Sequence, residues 1–447
     1  MEDTIAAIST ALGVGAISII RVSGNDAINI VNKIFDKDIS NIPSHTIHYG
    51  HIVDNNEIID EVLISVMLAP KTFTAENIVE INCHGGISTT NKVLELVLTN
   101  GARLAESGEF TKRAFLNGRI DLTQAEGIMN LIEAKSEKSR EMSIKQLTGS
   151  VSSIISKIRT KLVDIISNIE VNIDYPEYED IEIITNDKIL PKIKDIKEEL
   201  KTTIKNAENG KIINQGIKIG IVGKPNVGKS SLLNELLEEN KAIVTDIEGT
   251  TRDIVEGDFV LEGIACHIID TAGIRETSDI VEKLGVNKSL EIIDNSDLII
   301  FMLNNNEVLS SEEIELLNKI KLKKHIIVIN KIDLDNKLEL NEENVVKLSI
   351  KEKTGIDKLK EKIIDLFNLG EIPTDDLSYL SNARSISLLK KSLNIINESI
   401  NNLENGTPID IIETDLKECW NTLGEIIGET YTDELIDEIF SRFCLGK

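Results

Sequence analysis

GKPNVGKS, Gly223 to Ser230, and NKID, Asn330 to Asp333, decide between them what this chain folds into. The first fits the phosphate-loop pattern GxxxxGK[ST]. In that pattern glycines let backbone N–H groups turn inward around phosphate oxygens, Lys229 supplies a point charge and Ser230 ligates Mg²⁺. The loop follows the apolar run Ile217 to Val222 and precedes Ser231 to Leu237, so strand, loop and helix are expected in that order. NKID ends a second apolar run, His325 to Ile329, at the carboxyl edge where α/β sheets bind ligands. A carboxylate at Asp333 accepts from both the N1–H and the 2-amino group of guanine. Adenine has no such paired edge, and a buried carboxylate left unpaired is costly. Asn330 and Lys331 are expected to brace the loop and cover the base. Together the two strings describe a pocket for a guanine nucleotide.

Between them lies DTAG, Asp270 to Gly273, after the apolar run Cys266 to Ile269. Its acid suits the Mg²⁺ shell, and the Gly273 N–H can reach a γ-phosphate. Upstream, GTTRD from Gly249 to Asp253 places Thr251 as a second protein ligand to Mg²⁺, and Ser349, in the run Val345 to Ile350, fits a last base-contacting loop. Five elements in this order argue for a GTPase. Two parts of the catalyst stay open. Ras-like enzymes carry a water-orienting Gln directly after DTAG, and here that position is Ile274, which cannot do this. Glu276, Asp279 and Glu282 in the next segment are alternatives, although for any one of them taken singly a solvated helix-end carboxylate is the better reading. No arginine is self-evidently a finger. Arg252 and Arg275 are options, while Asn226 offers an oxygen that either holds a monovalent cation against the phosphates or simply braces the loop.

At 447 residues the chain is too long for one ordinary core, and two to three domains are expected. No run of eighteen apolar residues occurs, and the start, MEDTIAAIST, lacks the basic region of a signal peptide. Cys83, Cys266, Cys419 and Cys444 lie far apart, which suggests neither a CxxC metal site nor a disulfide framework. A cytoplasmic protein is the expectation, with no membrane partner. The formal charge of −26 argues against gripping nucleic acid over a broad surface, so any RNA contact must be local or shared. The one basic stretch runs from Arg103 to Arg119, with Lys112 and Arg113 inside it, and reads either as such a contact or as a solvated face. His45, His48, His51 and His84 scatter over both faces of strand-like segments, an unpromising metal site.

The organisation is multidomain, α/β and α. Residues 1–118 mix alternating runs (Ala16 to Val22, Glu61 to Leu68, Ile78 to Asn82) with a helical pattern from Thr89 to Asn100, which predicts an α+β domain. Residues 119–215 are Gly-poor with Ile and Leu at helical spacing, broken by the acidic DYPEYED, Asp174 to Asp180. The nucleotide domain occupies 216–372, and helical sequence resumes over 373–447. Helical sequence on both sides of an α/β unit predicts a discontinuous helical bundle with a Ras-like P-loop G domain inserted into it.

The whole chain resembles the MnmE (TrmE) family of tRNA modification GTPases, on GKPNVGKSSLLN, GTTRD, DTAGIRETSDIVEKLG, the segment GEFTKRAFLNGRIDLTQAE from Gly108 to Glu126, and the terminal CLGK. The resemblance implies a dimerising N-terminal domain that binds 5-formyltetrahydrofolate or a related tetrahydrofolate, with the site falling on Arg21, Glu80, Arg119 and Lys447. It implies that Glu282 positions the attacking water, and that K⁺ takes the place of an arginine finger, held by Asn226, Thr245, Ile247 and Thr250. Mg²⁺ would be held by Ser230 and Thr251. GTP contacts are implied at Asn226, Val227, Gly228, Lys229, Ser230 and Ser231. They continue at Thr245, Asp246, Ile247, Glu248, Gly249, Thr250 and Thr251, then at Asp270, Thr271, Ala272 and Gly273. The base side falls on Asn330, Lys331, Ile332, Asp333, Ser349, Ile350 and Lys351. The implied partners are a second copy of the chain, the flavoprotein MnmG (GidA) in a heterotetramer, and tRNA shared with it. The implied chemistry is a carboxymethylaminomethyl or aminomethyl group built on C5 of a wobble uridine. This sequence departs from the family pattern at Ser107, usually Pro, at Phe73, commonly Tyr, and at Ile350, usually Ala. A ribosome-assembly or regulatory GTPase is the alternative reading, although such proteins usually append an RNA-binding module or a second G domain.

Overall fold

The computed structural model describes residues 3–174, 186–238, 255–269, 290–367, 369 and 380–446. Its N-terminal elements are β1 (Ile5–Ile8), β2 (Ile17–Ser23), α1 (Ala27–Asn32), β3 (Thr46–Asp54), β4 (Glu57–Met67), β5 (Ile78–His84), α2 (Ile87–Thr99), β6 (Arg103–Leu104) and α3 (Glu109–Leu116). Four helices follow: α4 (Leu122–Glu133), α5 (Glu137–Leu147), α6 (Ser150–Asp174) and α7 (Asn186–Gln215). Then come β7 (Ile217–Gly223), α8 (Lys229–Glu238), β8 (Val255–Leu261), β9 (Ile264–Ile269), β10 (Leu298–Asn304), α9 (Ser311–Ile320), β11 (His325–Asn330), β12 (Val345–Lys347) and α10 (Ile356–Phe367). The chain closes with α11 (Ala383–Glu404), α12 (Ile409–Ile427) and α13 (Asp433–Ser441). It divides into two compact units, one of Met1–Met129, Gln146–Ile196 and Asn394–Lys447, the other of Asn130–Lys145 and Lys197–Leu393.

In the first unit a six-stranded sheet runs in the order β3-β4-β5-β2-β1-β6. Alternation along its strands turns Ile20, Val22, Ile64, Val66, Val79 and Ile81 to one face, where they form a buried cluster with Val93, Leu96 and Val97 of α2. The other face carries the partly exposed Arg21 and Glu80, directly opposite each other in the β2–β5 register. The helical part of this unit joins sequence from both sides of the nucleotide domain. α6 packs along α12, with the Arg159 guanidinium 4.1 Å from the Trp420 ring and Lys417 pairing with Glu170 at 2.6 Å. The bundle is therefore discontinuous, as the helical pattern predicts.

In the second unit the sheet order is β12-β11-β10-β7-β9-β8, parallel except for β8 against β9. The central strand β10, LIIFMLN, is buried along its whole length, which is why it reads as a continuous apolar run rather than an alternating one. α10 buries Ile356, Leu359, Ile363 and Phe367, one stripe at helical spacing. The strand order reverses around β7, so the crevice at its carboxyl end is the place where such sheets take a ligand. The run Val345 to Ile350 forms a strand only to Lys347, and Ser349 stands beyond it in an isolated bridge with Thr354.

Candidate functional site

β7 ends at Gly223 and α8 begins at Lys229, so GKPNVGKS is the strand-to-helix turn of the second unit. Its backbone passes through left-handed conformations, with φ of 63° at Asn226 and 104° at Gly228. Gly228 has a further reason to lack a side chain. A Cβ there would stand 2.5 Å from Asn330 Nδ2, so only glycine lets the phosphate loop and the NKID loop approach this closely. Lys229 Nζ donates to the carbonyl oxygens of Gly223 and Lys224, both at 2.7 Å. Burial pushes the pKa of this ammonium down.

Asn330 is buried at the end of β11 and joins the loops. Its Nδ2 donates to the Val227 carbonyl at 2.8 Å, and its Oδ1 accepts from the backbone N–H of Lys331 at 2.7 Å and of Ile350 at 3.3 Å. Lys331 Nζ reaches back to the Asn226 carbonyl at 3.0 Å. Ser349 Oγ donates to Asp333 Oδ1 at 2.7 Å, a hydrogen bond that lowers the pKa of the carboxyl. Sequence positions more than a hundred residues apart are thus drawn into one pocket rim, with an ionised carboxylate at the base side and an ammonium at the phosphate side. Asn226, Ser230 and Lys351 are exposed. Thr245 to Thr251, Asp270 to Ile274 and the segment carrying Arg275, Glu276, Asp279 and Glu282 lie outside the described residues, as does Arg252.

Sequence reasoning passes over two features of this pocket. Lys224 Nζ pairs with Glu313 of α9 at 2.8 Å, and Asn305 supports the NKID loop by donating Nδ2 to the Leu334 carbonyl at 3.0 Å. The available signal was the polar run Asn304 to Asn306, which interrupts a strand end next to β7 and β11.

The first unit holds a second polar constellation. Arg21 Nε and Nη2 both meet Glu80 Oε1 at 2.8 Å, so this pair does not use the second carboxylate oxygen, Oε2. The Arg21 guanidinium lies 5.3 Å from the Phe73 ring centroid, and that of Arg119 lies 5.1 Å from it. Arg119 Nη1 donates to the Phe73 carbonyl at 2.9 Å. A carboxylate, two guanidinium groups and an aromatic ring form a donor set suited to a flat heterocycle with a guanine-like edge and an acidic tail. The terminal residues also belong to this unit. Leu445 bridges Ser107, and the Gly446 carbonyl accepts from Ser9 Oγ at 3.2 Å. Lys447 lies outside the described residues.

Within the basic stretch the charges are largely used internally. Arg113, with a fully buried side chain, pairs with Asp3 at 2.9 Å, Glu76 at 3.2 Å and Glu109 at 3.0 Å. Arg103 pairs with Asp3 and Glu109 at 2.7 and 2.6 Å, and Lys112 with Asp437.

Comparison with known proteins finds relatives along the whole chain. A family model described as the MnmE helical domain matches residues 122–444, and one described as the N-terminus of the GTP-binding protein TrmE matches residues 4–119. The tRNA modification GTPase MnmE of Bacillus cytotoxicus is 50% identical over 455 aligned residues, which cover 100% of this chain and 99% of that protein. Its counterpart in Enterococcus faecalis is 50% identical over 457, covering 100% and 98%. Among solved structures, the G domain of the T. maritima FeoB iron transporter is 28% identical over 34% of this chain and 98% of that one, at a TM-score of 0.23.

Proposed function

The chain belongs to the MnmE (TrmE) family of tRNA modification GTPases, and from that membership we propose that it acts with the flavoprotein MnmG (GidA) to install a carboxymethylaminomethyl or aminomethyl group on C5 of the wobble uridine of certain tRNAs. The chain is a GTPase. The finer assignment divides it into a folate-binding and dimerising domain over 1–118, a helical domain over 119–215 and 373–447, and a G domain over 216–372. The reading is supported above all by two constellations held in one chain. These are the guanine-nucleotide pocket closed by Asn330, and the Arg21–Glu80 pair beside Phe73, whose unused oxygen suits the donor edge of a pterin.

When bound, a tetrahydrofolate supplies the one-carbon unit. Glu80, oriented by Arg21, would accept from its pterin edge, and the charges of Arg119 and Lys447 would suit its carboxylates. At the G domain, Ser230 and Thr251 hold Mg²⁺, and Asn226, Thr245, Ile247 and Thr250 hold K⁺. Glu282 orients the attacking water. Turnover is coupled to pairing of two G domains in a homodimer, and tRNA is shared with MnmG, in keeping with a chain of net charge −26.

Mass spectrometry of tRNA nucleosides from cells with and without the protein tests the proposal. Loss of the C5 substituent in the deletion strain, restored by the gene, is the expected result. A wobble uridine that is the same in both strains rejects the role and leaves a ribosome-assembly or regulatory GTPase in its place.

A further inference from the structure

The segment from Asn304 to Glu313 touches both sides of the nucleotide pocket. On the base side, the Asn305 backbone carbonyl accepts from the N–H groups of Lys337 at 2.8 Å and Leu338 at 3.1 Å, while its side chain holds Leu334. On the phosphate side, Glu313 is nearly buried, and its Oε2 accepts from the Ser310 backbone N–H at 2.8 Å, from Ser310 Oγ at 2.9 Å and from Lys224 Nζ at 2.8 Å. Lys224 in turn presents its carbonyl oxygen to Lys229 Nζ at 2.7 Å. An unbroken chain therefore runs from the N-cap of α9 to the lysine that meets phosphate.

We propose that Glu313 is a positioning residue for GTP, acting through Lys224 to hold the phosphate loop in the shape that aims Lys229. A carboxylate fixed at the start of a helix is a rigid anchor, and the loop it reaches turns through left-handed backbone at Gly223, Asn226 and Gly228, so its shape depends on such tethers. Glu313 also closes the capping box of α9, and the two roles separate experimentally. Glutamine at this position still accepts from the N-cap N–H, so Glu313→Gln keeps the cap while removing the charge that holds Lys224.

Nucleotide Kd and steady-state KM and kcat for GTP are to be measured on the full-length chain for E313Q, K224M, the double variant and K224R. The expected result for E313Q is a roughly three- to tenfold rise in Kd and KM, with kcat at saturation within about twofold of wild type. K224M should match it, the double variant should be no worse than either single one, and K224R should recover most of the affinity. Unchanged affinity in E313Q overturns the proposal. So does a double variant whose losses multiply, or a K224R as weak as K224M, since either assigns the effect to packing or capping instead. Thermal unfolding of the same four proteins separates a folding defect from a binding one. Affinity lost only in step with stability also overturns it.

Discussion

Asn330 Nδ2 donates to the Val227 carbonyl across 2.8 Å, and this buried bond ties the loop on the base side to the loop on the phosphate side. Alanine at 330 strands that carbonyl and also releases the N–H groups of Lys331 and Ile350. An unsatisfied buried group costs about 1–3 kcal/mol, or roughly 5- to 150-fold in an equilibrium constant. If nucleotide binding needs the two loops held together, Asn330→Ala should weaken GTP and GDP alike by a factor in that range. Equilibrium titration with a fluorescent guanine nucleotide checks this, and dissociation constants within twofold of wild type would remove the bracing role.

In the proposed pocket, Asp333 selects the base. The Ser349 hydroxyl holds its carboxyl below the usual carboxylate range, so the group is ionised at neutral pH and acts only as an acceptor. Asp333→Asn places an amide N–H₂ where guanine presents its own donors, whereas xanthine offers a carbonyl at C2. GTP affinity should fall by about two orders of magnitude and XTP should become the preferred nucleotide. A variant that still prefers GTP over XTP contradicts the assignment.

The proposed cation and water roles can be separated kinetically. Asn226 stands exposed at the crest of the phosphate loop, its carbonyl fixed by Lys331 Nζ at 3.0 Å, so truncating the side chain leaves the backbone tether in place. Asn226→Ala should abolish the advantage of K⁺ over Na⁺ in GTP hydrolysis while sparing nucleotide affinity. Glu282→Ala should lower kcat by roughly two to three orders of magnitude in K⁺ without changing KM. An unchanged K⁺ response in the first variant, or near-normal turnover in the second, rejects that role.

What could be read ahead of the structure follows from where the chemistry is encoded. The phosphate loop and NKID are local strings at the ends of long apolar strands, so β7, α8 and β11 are legible from their own residues. β1 and β6 are not, because Ile5–Ile8 is half alanine and Arg103–Leu104 is too short to show a period. Lys224 and Glu313 each look like ordinary surface charges, and only tertiary folding brings them together. The same holds for Arg113. A basic stretch suggests an RNA-facing patch until the acids that bury it arrive from Asp3 and Glu76. Charge is visible in a sequence, but its partner is not.

Asp258 on β8 gives the G domain an acid-sensitive contact. Burial works to raise its pKa, but hydrogen bonds from His267 at 2.6 Å and Lys135 at 2.7 Å outweigh that and bring it down to about 2. Its pKa when folded thus lies below that of the unfolded chain. The stabilisation is fully present above about pH 4 and is lost as pH falls from 4 towards 2. With 31% of the side chain still exposed, the contribution is about 1–2 kcal/mol. Asp258→Asn should lower the unfolding midpoint near neutrality, and the gap to wild type should close between pH 4 and 2. A gap that stays constant over that range assigns the loss to packing.

In the N-terminal unit, the pairing of Arg21 with Glu80 leaves one carboxylate oxygen to a ligand. Both guanidinium nitrogens converge on Oε1, so a carboxylate at 80 can satisfy arginine with one oxygen and offer the other to a ligand. Glu80→Gln preserves the size and one acceptor, but it replaces the remaining oxygen either with an N–H₂ aimed at the pterin's own donors or with one aimed at Arg21. In both orientations a donor faces a donor. The affinity for 5-formyltetrahydrofolate should drop about 10- to 100-fold, measured by calorimetric titration, with the guanine-nucleotide Kd as the control for an intact fold. Undiminished folate binding by E80Q would take the pterin away from this pair. Arg21 and Glu80 would then be left as a cross-strand ion pair worth up to about 1 kcal/mol to the sheet.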